Sequence, residues 1–461
     1  MDKQKWLILA GVVLVLIATG WYFYANRGDD SSLTPQERQN QEEELTQAEV
    51  KEEFEGKIVY EENQDSALLT KDCRQRGGAF DGCGNGCALG AEVCATVCVP
   101  VCNLPGETSS EGVNKTDLPL EVPENFEISF LAENLPGARD ISEKDSLGNI
   151  WISQTSEGKI SLLSLNENQE LENADTVFEN LNRPHGLAID PEDGLTLYFA
   201  ETDAVKRVRL YTEDTPQKIA DLPGGGGHLT RSLHFGPDDK LYVSIGSSCN
   251  VCLESDERRA AVYRMNKDGS NFEKYAEGLR NSVFMATNPI TGDIWATEMG
   301  RDNLGDNTPP DEINILQEGG NYGWPYCYGK NTRDETFRPE SNENCDDTIP
   351  SRIDLQAHSA PLGLDFVPET GWPEEYWLDL VVAYHGSWNR TVPTGYKLVH
   401  FNLDDQGNLE NRQDFISGWL TENGEKLGRP VDVQAFPGGM MLVSDDQKGV
   451  VYKIEYTREG K

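Results

Sequence analysis

In the stretch GGGGHLTRSLHFGPDDKLYVSIGSSCNVC, residues 224–252, four glycines stand directly before His228, and Arg231 follows three residues later. An imidazole can take a proton near neutral pH, a guanidinium forks onto carboxylates, and glycine admits close approaches that a side chain forbids. The combination suits a group that accepts a proton from a bound molecule, with the glycines clearing space and Arg231 orienting or bracing nearby. Comparable residues recur beside other apolar stretches: Arg139; Arg183 and His185; Arg280 and Asn281; His358; His385, Trp388, Asn389 and Arg390; Arg429 with Asp432. Taken singly, an arginine beside a turn more simply braces backbone carbonyls, and one histidine is more often an ordinary satisfied residue. Gathered together they would form a basic rim on a chain of formal net charge −39, which suggests an anionic ligand. His234 and His400 fall within strand patterns and read as packing or outer-surface residues.

What could gather them is a repeat. ARDISEKDSLGNIWISQTSEGKISLLSL is followed by PHGLAIDPEDGLTLYFAETDAVKRVRLY, by RSLHFGPDDKLYVSIG with AAVYRMNKDG, and by NSVFMATNPITGDIWATEMG with DEINILQEG. PLGLDFVP with WLDLVVAYHG and YKLVHFNLDDQG comes next, and VDVQAFPGGMMLVSDDQKGVVYKIEY closes the series. Each unit has an apolar strand, a Gly/Asp/Pro turn, a strand of aromatic and β-branched residues, a polar loop and a third strand. Units of this kind at a period of roughly 45 to 80 residues predict an all-β fold, a six-bladed β-propeller over residues 122–458. The 44 glycines, 16 tyrosines and 9 tryptophans agree with an all-β class. In a propeller the loops that flank the inner strands converge on one mouth, so the rim residues should meet there. Residues 300–311 and 326–357 read as long loops, where sites are built.

The N-terminal part is of another kind. Residues 6–25, WLILAGVVLVLIATGWYFYA, form an uncharged run long enough to span a bilayer. Lys3 and Lys5 before it orient the N-terminus to the cytoplasm and the rest outside. The expectation is a single-pass membrane anchor over 1–27, with a cleaved signal peptide as the alternative; either exports the body. An acidic linker over 28–70 follows, then a cysteine-rich module over 71–103, and a second polar link over 103–121. Cys73, Cys83, Cys87, Cys94, Cys98 and Cys102 read as disulfide staples rather than a metal cluster, since no histidine precedes residue 185. Nucleic acid is not an expected partner, because nothing offers a basic stripe.

HLTRSLHFGPDDKLYVSIGSSCNVC, GLRN, ATEMGRDNLGD, PPDEINILQEGGNYGWPYCYG, HSAPLGLDF, HGSWNR and GRPVDV, in this order, resemble the soluble quinoprotein sugar dehydrogenases, in the branch of sorbosone and aldose dehydrogenases. The likeness covers residues 125–457. It implies a propeller whose mouth holds pyrroloquinoline quinone (PQQ) and calcium and oxidises a sugar or sugar-derived aldehyde. By that resemblance His228 is the general base; Arg231 is expected as a second catalytic residue, orienting or bracing it. Arg280 and Asn281 lie against the cofactor, and Arg390 and Arg429 contact its carboxylates or quinone oxygen; from their places on the rim, His358 and Arg183 are expected to join the cofactor contacts. Gly300 and Arg301 fall where backbone carbonyls bind the catalytic calcium, and Glu312 and Tyr322 where some members hold a second one. Two departures stand out. The glucose-oxidising branch has Gly-Pro after a glutamine where this chain has Met299, Gly300 and Arg301, and Arg390 replaces a cofactor-contacting lysine. Cys249 and Cys252 form a CxxC followed by Leu253, not the histidine that c-type haem needs, so a disulfide or structural role is expected and electrons leave to a separate acceptor. Cys327 and Cys345 bracket an insert and are expected to pair. Two other functions fit the scaffold: a calcium-dependent lactone hydrolase, and a non-catalytic propeller that captures a glycan or protein.

Overall fold

Why the repeats make one body follows from burial. Ile150–Gln154, Leu241–Ile245, Ile294–Glu298 and Leu380–Tyr384 are buried at every position. Strands of that kind must be covered on both faces, and sheets packed face to face around an axis do so. The outermost strands have the opposite pattern: most of Leu171–Phe178 and most of Leu409–Ile416 are exposed. Burial therefore falls from axis to rim, as blades require.

The computed structural model describes residues 50–54, 57–60, 66–75, 79–85, 98–103, 112–338, 344–404 and 406–457. The chain forms two units, Met1–Glu107 and Thr108–Lys461. In the first, strands Val50–Phe54, Lys57–Tyr60, Cys98–Asn103 and Ala79–Asn85 pair in that order, with a helix at Ser66–Gln75. The first two of these strands fall in the span read above as a linker. The apolar run 6–25 lies outside the described residues, as does the pairing of the six clustered cysteines. Among the described residues no helix is long and apolar enough to cross a membrane.

The second unit is a six-bladed propeller of antiparallel sheets, two of which, those of blades 3 and 6, end in a short parallel edge strand. From axis outward, blade 1 is Ala138–Ile141, Ile150–Gln154, Lys159–Leu165 and Leu171–Phe178. Blade 2 runs from Leu187–Ile189 to Gln217–Asp221, blade 3 from Leu233–Phe235 to Glu273–Glu277, and blade 4 from Ser282–Thr287 to Ile353–Leu355. Blade 5 runs from Pro361–Phe366 to Leu409–Ile416. Blade 6 is composite. Pro430–Phe436, Met440–Asp445 and Val450–Tyr456 come from the end of the chain, while Phe126–Ala132 and Val113–Asn114 come from the start of the unit. Residues 113–114, read above as part of a polar link, thus belong to the last sheet.

Inner strands of adjacent blades are joined by side chains that take up backbone groups. Asp365 Oδ2 accepts from Ala435 N at 2.8 Å, linking blades 5 and 6, and Asp432 Oδ2 accepts from Ile141 N at 2.8 Å, linking 6 and 1. Asp432 is therefore a buried staple, not a rim residue. Thr297 Oγ1 donates to Leu362 O at 2.7 Å between blades 4 and 5. Because neighbouring strands run antiparallel, the loops entering each inner strand and the loops between second and third strands emerge at one end. That end is the mouth.

Candidate active site at the propeller mouth

His228 lies in the loop entering blade 3. Its Nδ1 is 2.9 Å from Ser247 Oγ and 3.1 Å from Ser247 O, in the loop between the second and third strands of the same blade. A carbonyl can only accept, so Nδ1 carries the proton and Nε2 keeps its lone pair. Among the described residues Nε2 makes no hydrogen bond. The ring can sit there because residue 246 is glycine: a Cβ would lie 2.6 Å from both His228 Cβ and Asn281 Oδ1. Burial, then the charge of Arg280, and then those of Arg231 and Arg259, push the imidazole pKa down to about 3. The imidazole is neutral at pH 7.

The four glycines wrap a guanidinium. Arg259 Nη2 donates to Gly224 O and Gly225 O, each at 2.7 Å, and to Pro223 O at 3.1 Å. Gly226 has φ +91°, and a Cβ there would lie 2.9 Å from both Arg259 Nη1 and Ser248 Cα. Arg231 is fully buried and braces the loop that carries His228, donating to His228 O, Thr230 O and Pro223 O. Arg259 flanks no inner strand, and its one signal in the sequence is the tandem Arg258-Arg259 before a strand.

From His228 a bonded network runs around the mouth. Ser247 N donates to Arg280 O at 2.7 Å. The Arg280 guanidinium donates to Asn250 O and Oδ1, each at 2.9 Å, and to Gly300 O and Asp302 Oδ2, each at 3.0 Å. Asn389 Nδ2 joins Asp302 Oδ1 at 2.7 Å to His358 Nδ1 at 3.4 Å. His358 Nε2 lies 2.8 Å from Gly305 O. Arg390 reaches Ala357 O at 3.0 Å and Asn307 Oδ1 at 3.4 Å. On the blade 6 side, Arg429 donates to His385 O and Gly386 O, while Asp446 joins His385 Nε2 at 2.9 Å to Arg139 Nη1 at 2.6 Å. His185 is buried with its Nε2 unpartnered, its ring 5.2 Å from that of Phe284 two blades away. Arg183 stands exposed at the rim, with φ 54°. Ser247, Asn250 and Asp302 have no distinguishing mark in sequence, being ordinary loop residues.

Gly300, Arg301, Glu312 and Tyr322 all line one small open pocket beside Arg280. Their roles within it differ. Gly300 O accepts from Arg280, and the Arg301 guanidinium is held by Asp334. Tyr322 donates its hydroxyl to Ile315 O. Glu312 is buried, and burial pushes its pKa up to about 7. Glu298, unflagged by the sequence, lines the same cavity; its Oε2 is buried without a partner, as is Asn314 Oδ1, and burial with Glu312 nearby raises its pKa well above the usual range. Unpartnered buried oxygens of this kind fit a hard cation such as calcium. The two expected disulfides are formed, Cys249–Cys252 and Cys327–Cys345.

Residues 120–457 match the TrAA12-like family model. A protein of unassigned function from Borreliella burgdorferi is 32% identical over 358 residues, covering 74% of this chain and 91% of that protein. A pyrroloquinoline quinone-dependent sugar dehydrogenase of Hypocrea jecorina is 23% identical over 334 residues, covering 60% of this chain and 74% of its own. Among solved structures, the calcium structure of the Trichoderma reesei family AA12 enzyme superposes with TM-score 0.64 at 20% identity, covering 74% of this chain and 100% of that one. The holo PQQ domain of Coprinopsis cinerea pyranose dehydrogenase gives TM-score 0.62 at 20% identity, again over 74% and 100%. The family match reaches all six blades, and on it the chain belongs to the TrAA12-like family, among the PQQ-dependent sugar dehydrogenase-like propellers.

Proposed function

We propose that the mouth of this propeller binds PQQ with calcium and oxidises a sugar or sugar-derived aldehyde, with His228 as the base. The observation that carries the reading is a gathering of guanidinium groups without carboxylate partners. Arg183, Arg390 and Arg429 form no ion pair among the described residues, and the buried Arg231 and Arg259 meet only backbone carbonyls, although the chain's formal net charge is −39. Such crowding fits a polyanion, and a tricarboxylate suits several guanidinium forks at once. Arg280, Asn281, Arg390 and Arg429, with His358 and Arg183 at the rim, are the residues that would hold it, and Glu298 and Glu312 would hold a cation beside them. When bound, the quinone supplies the hydride acceptor and the cation polarises it.

The chain's own part is to hold and move a proton. His228 Nε2 takes the proton of the substrate hydroxyl as the carbon gives up its hydride, while Ser247 keeps Nδ1–H in place. Arg231 fixes the loop from beneath. Trp388, 69% exposed on the loop after the second strand of blade 5, offers an aromatic face to the CH side of a sugar ring. Asp302 and Asp446 are engaged by Arg280 and by His385 and Arg139, which leaves Glu298 and Glu312 as the carboxylates for a cation. The reading includes, from the apolar run 6–25, a membrane tether with the propeller outside the cytoplasm, and electron delivery to a separate acceptor.

The test adds PQQ and calcium to the full chain and follows dye reduction with a panel of aldoses and aldehydes. Substrate-dependent reduction is expected. No reduction with any substrate, together with unchanged cofactor absorbance, overturns the reading; an absorbance change without turnover leaves a binding propeller.

A further inference from the structure

The turn after the second strand of blade 3 touches both sides of the mouth chemistry. We infer that the Cys249–Cys252 disulfide, with Asn250 inside it, is a positioning clamp that fixes the His228 tautomer and the Arg280 guanidinium together. The inference rests on the reading of His228 as the base.

On one side of the turn, the Ser247 hydroxyl has a single proton, which it donates to Cys249 O at 2.7 Å. The hydroxyl can therefore only accept from His228 Nδ1, at 2.9 Å, and the Ser247 carbonyl at 3.1 Å can do nothing else. The Cys249 carbonyl thus turns the Ser247 hydroxyl into a second acceptor beside the Ser247 carbonyl, and both keep the proton on Nδ1. On the other side, Asn250 O accepts from Arg280 Nε at 2.9 Å, and Asn250 Oδ1 accepts from Arg280 Nη2 at 2.9 Å and from Asp302 N at 2.8 Å. Asn250 Nδ2 returns a bond to Asp302 O at 3.1 Å.

Three of these contacts use the main-chain carbonyls of Ser247, Cys249 and Asn250, and the others use the Ser247 and Asn250 side chains that the same backbone carries, so all of them hold only while that backbone holds. The turn is half-buried and has no ladder partner; the disulfide closes it. Glu254 adds a second closure, accepting from Ser248 N at 2.6 Å and from Ser248 Oγ at 2.7 Å. A bridge across so short a loop removes little chain entropy overall. Its effect is local, restricting the residues that carry the Cys249 and Asn250 carbonyls.

The experiment labels the full chain with ¹⁵N-histidine, its six histidines being few enough to resolve, and assigns His228 by the signals lost in His228→Gln. The native chain is expected to show one tautomer, with Nδ1 protonated. In Cys249→Ser/Cys252→Ser the ring signals should move to a two-tautomer average. With PQQ and calcium, kcat should fall roughly tenfold to a hundredfold while KM moves less than twofold. If that variant does not fold, a phosphine reductant applied to the native chain opens the same turn, and the ring signals should respond in the same way. A folded, open turn with a single unchanged tautomer overturns the clamp. Absence of turnover in the native chain would overturn the functional reading alone, since the ring signals report the clamp without it.

Discussion

His228 is a base whose strength depends on its neighbours. Burial and the charges of Arg280, Arg231 and Arg259 hold its pKa down to about 3, so the free protein carries a neutral imidazole through the mildly acid range. An anion placed beside those guanidinium groups offsets part of that charge and raises the proton affinity of the ring. A ring ¹⁵N titration should therefore give a higher His228 pKa with PQQ than without it, and no upward shift would show that the bound anion does not face this histidine. The sign for stability follows from the same shift. The folded pKa lies below the unfolded value near 6.5, so the contribution of His228 is fully present above that value and is lost as pH falls toward 3. His228→Ala should lower kcat by about 10² to 10⁴ while PQQ affinity, read by absorbance titration, changes little. Turnover equal to that of the native chain would remove His228 from its role.

Among the elements, the inner strands carry the positional information and their buried carboxylates keep it. Asp365 accepts from Ala435 N and Gln434 Nε2 on blade 6 and from Phe366 N on its own strand. Burial pushes its pKa up to about 7 from 3.8. The folded state thus holds a proton that the unfolded chain releases near pH 4, and the associated stability, up to roughly 4 kcal/mol, is present below pH 4 and lost as pH rises toward 7. In thermal melts between pH 5 and 8 the native chain should lose more stability than Asp365→Asn; parallel slopes would mean that Asp365 stays ionised. The strands themselves are legible in sequence because every blade solves the same burial problem with the same apolar, turn, apolar order. The rim arginines are legible too, since a charge beside such a strand calls for an explanation. Ser247 and Asn250 are not, because serine and asparagine in a turn need no explanation, and part of what they do comes from main-chain atoms that any residue has. Glu298 is hidden by IWATE, where one acidic residue at the end of an apolar strand reads as the start of a loop.

At the scale of the whole propeller, a ring of blades must be closed, and here the closure joins the two ends of the unit. FEISFLA, residues 126–132, reads as a strand from its alternation, but its partner Val450–Tyr456 is at the far end of the chain and nothing local in either stretch names the other. The pairing Tyr456↔Phe126, Ile454↔Ile128 and Tyr452↔Phe130 sets the register. Phe126 does more than pair. It is 1% exposed, and its ring lies 5.2 Å from Phe415, 5.3 Å from Tyr376 and 5.9 Å from Trp372, all of blade 5, and 5.4 Å from Tyr456 of blade 6. One side chain thus fastens the closing strand to two blades, and these two blades present Arg390 and Arg429 at the mouth. Phe126→Ala leaves a cavity among four aromatic rings and should destabilise the propeller by about 3–5 kcal/mol, read from urea unfolding. The ring is a single closed structure, so the loss should also weaken PQQ binding at conditions where the protein is still folded, although Phe126 lies in an outer strand. Ile128→Val, which keeps the strand in place, should cost only about 0.5–1.5 kcal/mol and leave that affinity alone. Equal affinity in Phe126→Ala and the native chain would mean that blades 5 and 6 hold their arginines without the closing strand.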